Sequence, residues 1–138
     1  MPIVYLSLGS NLGNRKSLIC QAIELLNLKV GSIVRTSSFI ETKPYGFVSP
    51  NKFINAAVCI ETGLTPYELL NKTKEIEKEL GRIEKSVNGC YHDRTIDIDI
   101  LLYDDLHIDN IDLKIPHPLM HERDFVMKPL LEIYKESK

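Results

Sequence analysis

The chain has 138 residues, 43% hydrophobic and 26% charged, which is the balance of an ordinary globule at the length of a single domain, read here as 1–138. Its 17 Lys and Arg against 19 Asp and Glu leave a formal charge of −2, without the basic excess of a general nucleic-acid or anionic-membrane binder. Disorder, collagen-like repeats and coiled coil are poor descriptions of such a composition.

Three cysteines, Cys20, Cys59 and Cys90, stand far apart with no C-x-x-C pair, so neither a disulfide framework nor a zinc knuckle is expected. Met1-Pro2 leads into Ile3-Val4-Tyr5-Leu6 without a basic flank or a cleavage site, and no apolar run approaches the ~20 residues of a membrane span. The expectation is a cytoplasmic protein with no membrane partner.

In chain order, the apolar run 3–8 predicts a buried strand ending at Gly9. The turn Gly9-Ser10-Asn11-Leu12-Gly13-Asn14 follows, then a helix whose apolar positions are Leu18, Ile19, Ala22, Ile23 and Leu26, with Asn14 placed to cap it. Loose alternation over 33–42 predicts a second strand, and 43–52, with two prolines and a glycine, a long loop. A third strand is expected over 53–61. Thr65-Pro66-Tyr67-Glu68 is a capping box with proline in the first helical position, opening a helix with Leu69, Leu70, Thr73, Ile76 and Leu80 on one face. The polar stretch 81–93 predicts another loop, 95–100 an alternating strand, and 107–114 a minor hairpin or turn. Beyond Pro116 and Pro118, 119–136 reads as helical with an interruption at Pro129. The order β-α-β-β-α-β plus a C-terminal helix predicts an α+β, ferredoxin-like sandwich, with a mainly antiparallel sheet and its helices on one face.

The most informative chemistry lies in Arg94-Thr95-Ile96-Asp97-Ile98-Asp99. On a strand, Asp97 and Asp99 project to one side about 6.5–7 Å apart while Ile96, Ile98 and Ile100 enter the core. Two such carboxylates repel unless a hard cation joins them, and oxygen ligands completed by phosphate favour Mg²⁺. The alternative is the solvated face of an amphipathic strand. Arg82, Arg94 and Arg123 supply guanidinium groups suited to phosphate oxygens. Together with the aspartates they fit a metal-bound polyphosphate such as a nucleoside triphosphate. The Gly9–Gly13 turn lacks the ending of a P-loop and reads first as a tight turn capped by Asn14. His117 and His121 are four apart, but no H-E-x-x-H pattern supports zinc hydrolysis. Cys90 has no accompanying base.

Four separated motifs resemble the 6-hydroxymethyl-7,8-dihydropterin pyrophosphokinase family over nearly the whole chain. They are Leu8-Gly9-Ser10-Asn11-Leu12-Gly13; Ser38-Phe39-Ile40-Glu41-Thr42 with Phe53-Ile54-Asn55-Ala56-Ala57; Arg94-Thr95-Ile96-Asp97-Ile98-Asp99-Ile100-Leu101; and Pro116-His117-Pro118-Leu119-Met120-His121-Glu122-Arg123-Asp124-Phe125-Val126. The resemblance implies transfer of pyrophosphate from ATP to the pterin hydroxymethyl group with release of AMP, a step of folate biosynthesis. It implies that Asp97 and Asp99 hold two Mg²⁺ ions and that Arg82 and Arg94 serve catalysis. It places Glu77, Arg94, Ile100, His117 and Arg123 on ATP, and Thr42, Pro44, Tyr45, Phe53, Asn55, Tyr91 and Phe125 on the pterin. Phe53 and Phe125 would sandwich the flat ring and Asn55 would read its edge. A monomer without nucleic-acid partners is implied.

The chain departs from the family pattern in several places. Lys74 stands where a glutamine is usual, and Glu84 beside Lys85 where a second loop arginine is usual. Tyr91-His92-Asp93-Arg94 replaces a tryptophan-glycine-proline-arginine run after a two-residue insertion, so Tyr91 takes the position of the indole. The fold is expected to close soon after the last helix, without the C-terminal segment of longer members. Two other readings predict different features. One is a non-catalytic ferredoxin-like module that binds a small ligand or single-stranded RNA, whose RNA version calls for an RNP-like aromatic pattern that these strands lack; the other is a pterin aldolase, which has no use for paired aspartates.

Overall fold

The computed structural model describes residues 1–11, 13–42, 52–81 and 96–135. Among these residues the strands and α-helices are, in order, β1 (Ile3–Ser10), α1 (Arg15–Lys29), β2 (Gly31–Thr36), β3 (Ile40–Thr42), β4 (Phe53–Thr62), α2 (Pro66–Glu79), β5 (Asp97–Tyr103), β6 (Ile108–Asp109), β7 (Lys114–Ile115) and α3 (Asp124–Ile133). The fold is mixed α/β, with an antiparallel main sheet in the order β2-β4-β1-β5, β3 also on β4, and the helices α1, α2 and α3 packed on it. β6 and β7 form the small hairpin expected near 107–114.

Both main helix starts follow from local chemistry. The Thr65 hydroxyl accepts from Glu68 N at 3.2 Å while the Glu68 carboxylate accepts from Thr65 N at 2.9 Å, closing the capping box. Asn14 Oδ1 accepts from Ser17 N at 3.3 Å, so the turn after β1 is used as a helix cap.

The sheet is covered on both faces, which corrects the one-sided packing read from sequence. Ile19, Ala22 and Leu26 of α1 and Leu69 and Ile76 of α2 pack on Val4, Leu6, Leu8, Ala56, Val58, Ile60, Ile98 and Ile100. On the other face, Val126, Leu130 and Ile133 of α3 pack on Tyr5, Ala57, Cys59 and Leu101. The cause is in the strands: β1 and β4 are apolar at successive positions, so helices on one face would leave the second apolar face in water. The Ser38 backbone N and hydroxyl both donate to the Glu132 carboxylate, at 3.0 and 2.9 Å, which ties α3 to the β2–β3 corner.

Other expectations are shifted. The single strand over 33–42 is split, because the Ser37 hydroxyl accepts from Ala57 N at 2.8 Å and takes a ladder position that a main-chain carbonyl would otherwise fill. β1 continues through Gly9 and Ser10, so Gly9 is a strand residue and does not end the strand. The break in the C-terminal segment falls at Arg123, where the backbone is extended between a 3₁₀ turn (Met120–Glu122) and α3. Pro129 stays inside α3, buried, at the cost of the one bond its missing N–H would have made.

Candidate active site

β5 carries the paired carboxylates. Ile96, Ile98 and Ile100 are buried against α1 and α2, so Asp97 and Asp99 point to the α3 side, as the alternation predicts. One bulge re-phases the strand further along: Tyr5 pairs with Leu102 but Leu6 pairs with Ile100, so Leu101 and Leu102 both pack on the α3 side. The polar half of that face therefore ends at Asp99, and apolar packing begins at Leu101.

Register then sets what stands beside each aspartate. Asp97 pairs with Gly9, which pairs with Asn55; Asp99 pairs with Ser7, which pairs with Ala57. One transverse row thus runs Asn55–Gly9–Asp97 across three strands, placing the amide and the carboxylate about 9.5–10 Å apart at the Cα positions. Asn55 is buried, and its Nδ2 donates to Thr42 Oγ1 at 2.7 Å. Phe53 lies on the same face, with its ring edge over Gly9.

α2 reaches the site from the sheet's end. Glu77 Oε2 accepts from Ile98 N at 2.7 Å, so a helix carboxylate holds the amide that lies between the two aspartates in sequence. β5 is the terminal strand in the sheet order, and the Ile100 side chain is in the core. Only main-chain groups of Ile100, directed by alternation to the same open edge as Ile98 N, can meet a ligand there.

The segment between β7 and α3 closes the other side. His117 N donates to Leu101 O at 3.0 Å, seating the residue beside β5. Burial, and after it the Arg123 guanidinium, push the His117 imidazole below its ordinary value, while Asp97 pulls the other way. Leu119 N donates to His117 Nδ1 at 3.3 Å, so the neutral ring carries its proton on Nε2, as a donor. The Arg123 Cζ lies 5.9 Å from the centre of the Phe125 ring at the start of α3. A measurable consequence is that, in the free protein, His117 titrates with a midpoint below 6.5 by imidazole NMR. Its neutral form then stabilises the fold above pH 6.5, and that contribution is lost as pH falls through the lowered midpoint; a midpoint at or above 6.5 contradicts this placement.

The structure brings together Thr42, Phe53, Asn55, Asp97 and Asp99 on one sheet face, with Glu77 and Ile100 at its edge and His117, Arg123 and Phe125 opposite. Pro44, Tyr45, Arg82, Tyr91 and Arg94 lie outside the described residues, as do Glu84, Lys85 and Cys90. Lys74 is exposed on α2. Sequence reading missed two neighbours, Ser7 opposite Asp99 and Gly9 opposite Asp97, because pairing register is not a local property. A separate cavity of about 440 Å³ lies at the far end of the same face, lined in part by Tyr5, Arg35, Cys59 and His107. There Arg35 already donates to Ile133 O at 2.8 Å and to the Tyr5 hydroxyl at 3.0 Å, which makes it a structural cation.

As a metal site the donor set is two carboxylates on one strand, and among the described residues no group of three or more His, Cys, Asp or Glu is assembled for a metal ion. Carboxylate oxygens with the remaining positions left to phosphate and water suit Mg²⁺, which keeps much of its coordination for substrate and solvent. Among the described residues, no helix is long and apolar enough to cross a membrane.

One sheet face thus carries paired carboxylates on its terminal strand and, two strands away, a buried amide beside an aromatic ring. The family model described as 7,8-dihydro-6-hydroxymethylpterin-pyrophosphokinase (HPPK) matches residues 5–135. A 2-amino-4-hydroxy-6-hydroxymethyldihydropteridine pyrophosphokinase of Porphyromonas gingivalis is 51% identical over 134 residues, 96% of this chain and 91% of that protein. The Bacillus subtilis protein of the same name is 43% identical over 135 residues, covering 97% and 79%. In three dimensions, a triple mutant of the Plasmodium falciparum HPPK-DHPS protein superposes with a TM-score of 0.75 at 19% identity, over 99% of this chain. This chain spans 40% of that longer one. The chain belongs to the HPPK family.

Proposed function

We propose that the chain transfers pyrophosphate from ATP to the hydroxymethyl group of 6-hydroxymethyl-7,8-dihydropterin, releasing AMP, as a step of folate biosynthesis. The observation that carries this reading is the row Asn55–Gly9–Asp97, in which a buried amide and an aspartate share one sheet face on either side of β1. The strand order β2-β4-β1-β5 supports the ferredoxin-like assignment, with α3 as the addition on the second face. We read residues 1–138 as one domain acting as a cytoplasmic monomer.

In the reaction, the substrate hydroxyl oxygen forms a bond to the β-phosphorus, the bond from that phosphorus to the α-bridging oxygen breaks, AMP leaves with the electron pair, and the hydroxyl proton is released. The chain supplies position and charge and contributes no nucleophile of its own. Asp97 and Asp99 hold the metal, which we take as two Mg²⁺ ions. Bound there, Mg²⁺ neutralises phosphate charge and lowers the pKa of the attacking hydroxyl. Glu77 fixes the strand that bears the aspartates through Ile98 N. Ile100 offers main-chain groups to the nucleotide base. His117, neutral with its proton on Nε2, donates to a phosphate oxygen, and Arg123 sits beside it. Asn55, oriented by Thr42, reads the pterin edge, while Phe53 and Phe125 stack on its faces. Arg82 and Arg94 are assigned to the triphosphate, and Pro44, Tyr45 and Tyr91 to the pterin, by motif position alone.

The test mixes protein, ATP, Mg²⁺ and the reduced hydroxymethylpterin and separates the products. AMP and pterin pyrophosphate are expected in equal amounts. ADP in place of AMP, or no turnover, contradicts the assignment.

A further inference from the structure

We propose that Gly9 is a specificity-determining position, because the side chain it lacks is the space in which the Asn55 amide is seated to read the pterin; this rests on the pterin reading above. Gly9 lies within the β1 ladder, paired with Asn55 on one side and Asp97 on the other. Its backbone is outside the left-handed region occupied by Gly13 and Gly81, so conformation does not require glycine. Glycine inside a strand is a net cost relative to alanine and marks a place where something approaches the backbone closely.

Here the approaching groups are identifiable. A Cβ built on Gly9 stands 2.9 Å from Asn55 Oδ1 and 3.6 Å from the Phe53 ring edge. The first distance is too short for a carbon and an oxygen in contact, whereas the second is ordinary. The amide is held from its other end by the 2.7 Å bond from Nδ2 to Thr42 Oγ1. Thr42 therefore decides which amide atom is which, and the bare Gly9 backbone allows Oδ1 to settle over β1. Alanine at this position turns the amide and pulls Nδ2 off Thr42. Because the atom in the way is the tip of a side chain, the sheet absorbs the change without moving its backbone. The three nearest atoms to that Cβ belong to Asn55, Phe53 and Ile54, and none to Asp97, so the nucleotide side of the row is spared.

The test is a double-mutant cycle with Gly9→Ala and Asn55→Ala, read by calorimetric titration with 6-hydroxymethylpterin and, separately, with α,β-methylene ATP and Mg²⁺. Gly9→Ala is expected to weaken pterin binding by on the order of tenfold to a hundredfold, as for a displaced hydrogen-bonding group, and to leave nucleotide binding unchanged. Added to Asn55→Ala it costs nothing more, because the group it displaces is gone. Additive losses, or equal weakening of nucleotide, overturn the inference. If Asn55→Ala weakens pterin and Gly9→Ala does not, this inference alone fails; if Asn55→Ala has no effect on pterin, the pterin reading falls and takes the inference with it. Should Gly9→Ala fail to fold, recovery of the fold on adding Asn55→Ala identifies the same contact, and no recovery refutes it.

Discussion

Asp97→Ala and Asp99→Ala are each expected to lower turnover by roughly a thousandfold or more while circular dichroism and the melting temperature stay close to those of the parent. The magnitude follows from the several kcal/mol of transition-state charge stabilisation that a metal contributes to phosphoryl chemistry, at about 1.4 kcal/mol per tenfold in rate. The fold should persist because the packing of this strand is on its other face, where Ile96, Ile98 and Ile100 are at most 6% exposed. Each substitution also removes one of two like charges on adjacent same-face positions, and with it their mutual repulsion in the metal-free chain. Steady-state rates of AMP release at saturating ATP and Mg²⁺ measure the effect. Near-parental turnover in either variant removes the metal assignment.

The second large effect is expected at Phe125, where alanine should weaken binding of the pterin by about 5- to 150-fold, the range of a lost aromatic stack worth 1–3 kcal/mol. Phe125 lies in the first turn of α3 and is only partly buried against the second core, so part of the ring reaches the surface beside the site. Its ring also lies under Arg123, at 5.9 Å to the guanidinium carbon, so alanine removes a neighbour of that cation too. Phe125→Tyr keeps the π face and should bind pterin as the parent does, whereas Phe125→Leu keeps bulk without stacking and should recover only part of the loss. Fluorescence titration with the pterin separates the three variants. Equal affinity in all of them contradicts the stacking role.

What sequence alone revealed was local. The capping box at Thr65 and Glu68 needs four consecutive residues, and both of its hydrogen bonds form. Asn14 caps the next turn, and alternation over 96–100 correctly separated aspartates from isoleucines. What it did not reveal depends on distant partners. The split at Ser37 requires the amide of Ala57, twenty positions away, to choose a side-chain hydroxyl over a main-chain carbonyl. The placement of α3 across the sheet from α1 and α2 was implied by strands apolar on both faces, but a reading that stops at element order does not use that signal. The doubling of Leu101 and Leu102 onto one face comes from a bulge, which leaves no mark in composition.

The candidate site divides the same way. Residue types on one strand were readable: Asp97 and Asp99 share a face, as their spacing of two demands. The neighbours across strands were not, and Gly9 is the instructive case. In sequence it is the first glycine of a turn, whereas in the fold it is the middle of a three-strand row whose emptiness has a user in Asn55. Glu77 was assigned to the nucleotide wall by motif position, and the structure adds a bond to Ile98 N that no helix pattern could announce.

We propose, then, that Asp97 and Asp99 hold magnesium against the triphosphate of ATP, within reach of a pterin seated at Asn55. A crystal structure of the protein with α,β-methylene ATP, Mg²⁺ and 6-hydroxymethylpterin tests it directly. Carboxylate oxygens of both aspartates are expected at about 2.0–2.1 Å from magnesium that also binds phosphate oxygens. Magnesium and triphosphate held elsewhere, with both carboxylates turned to bulk water, would contradict it.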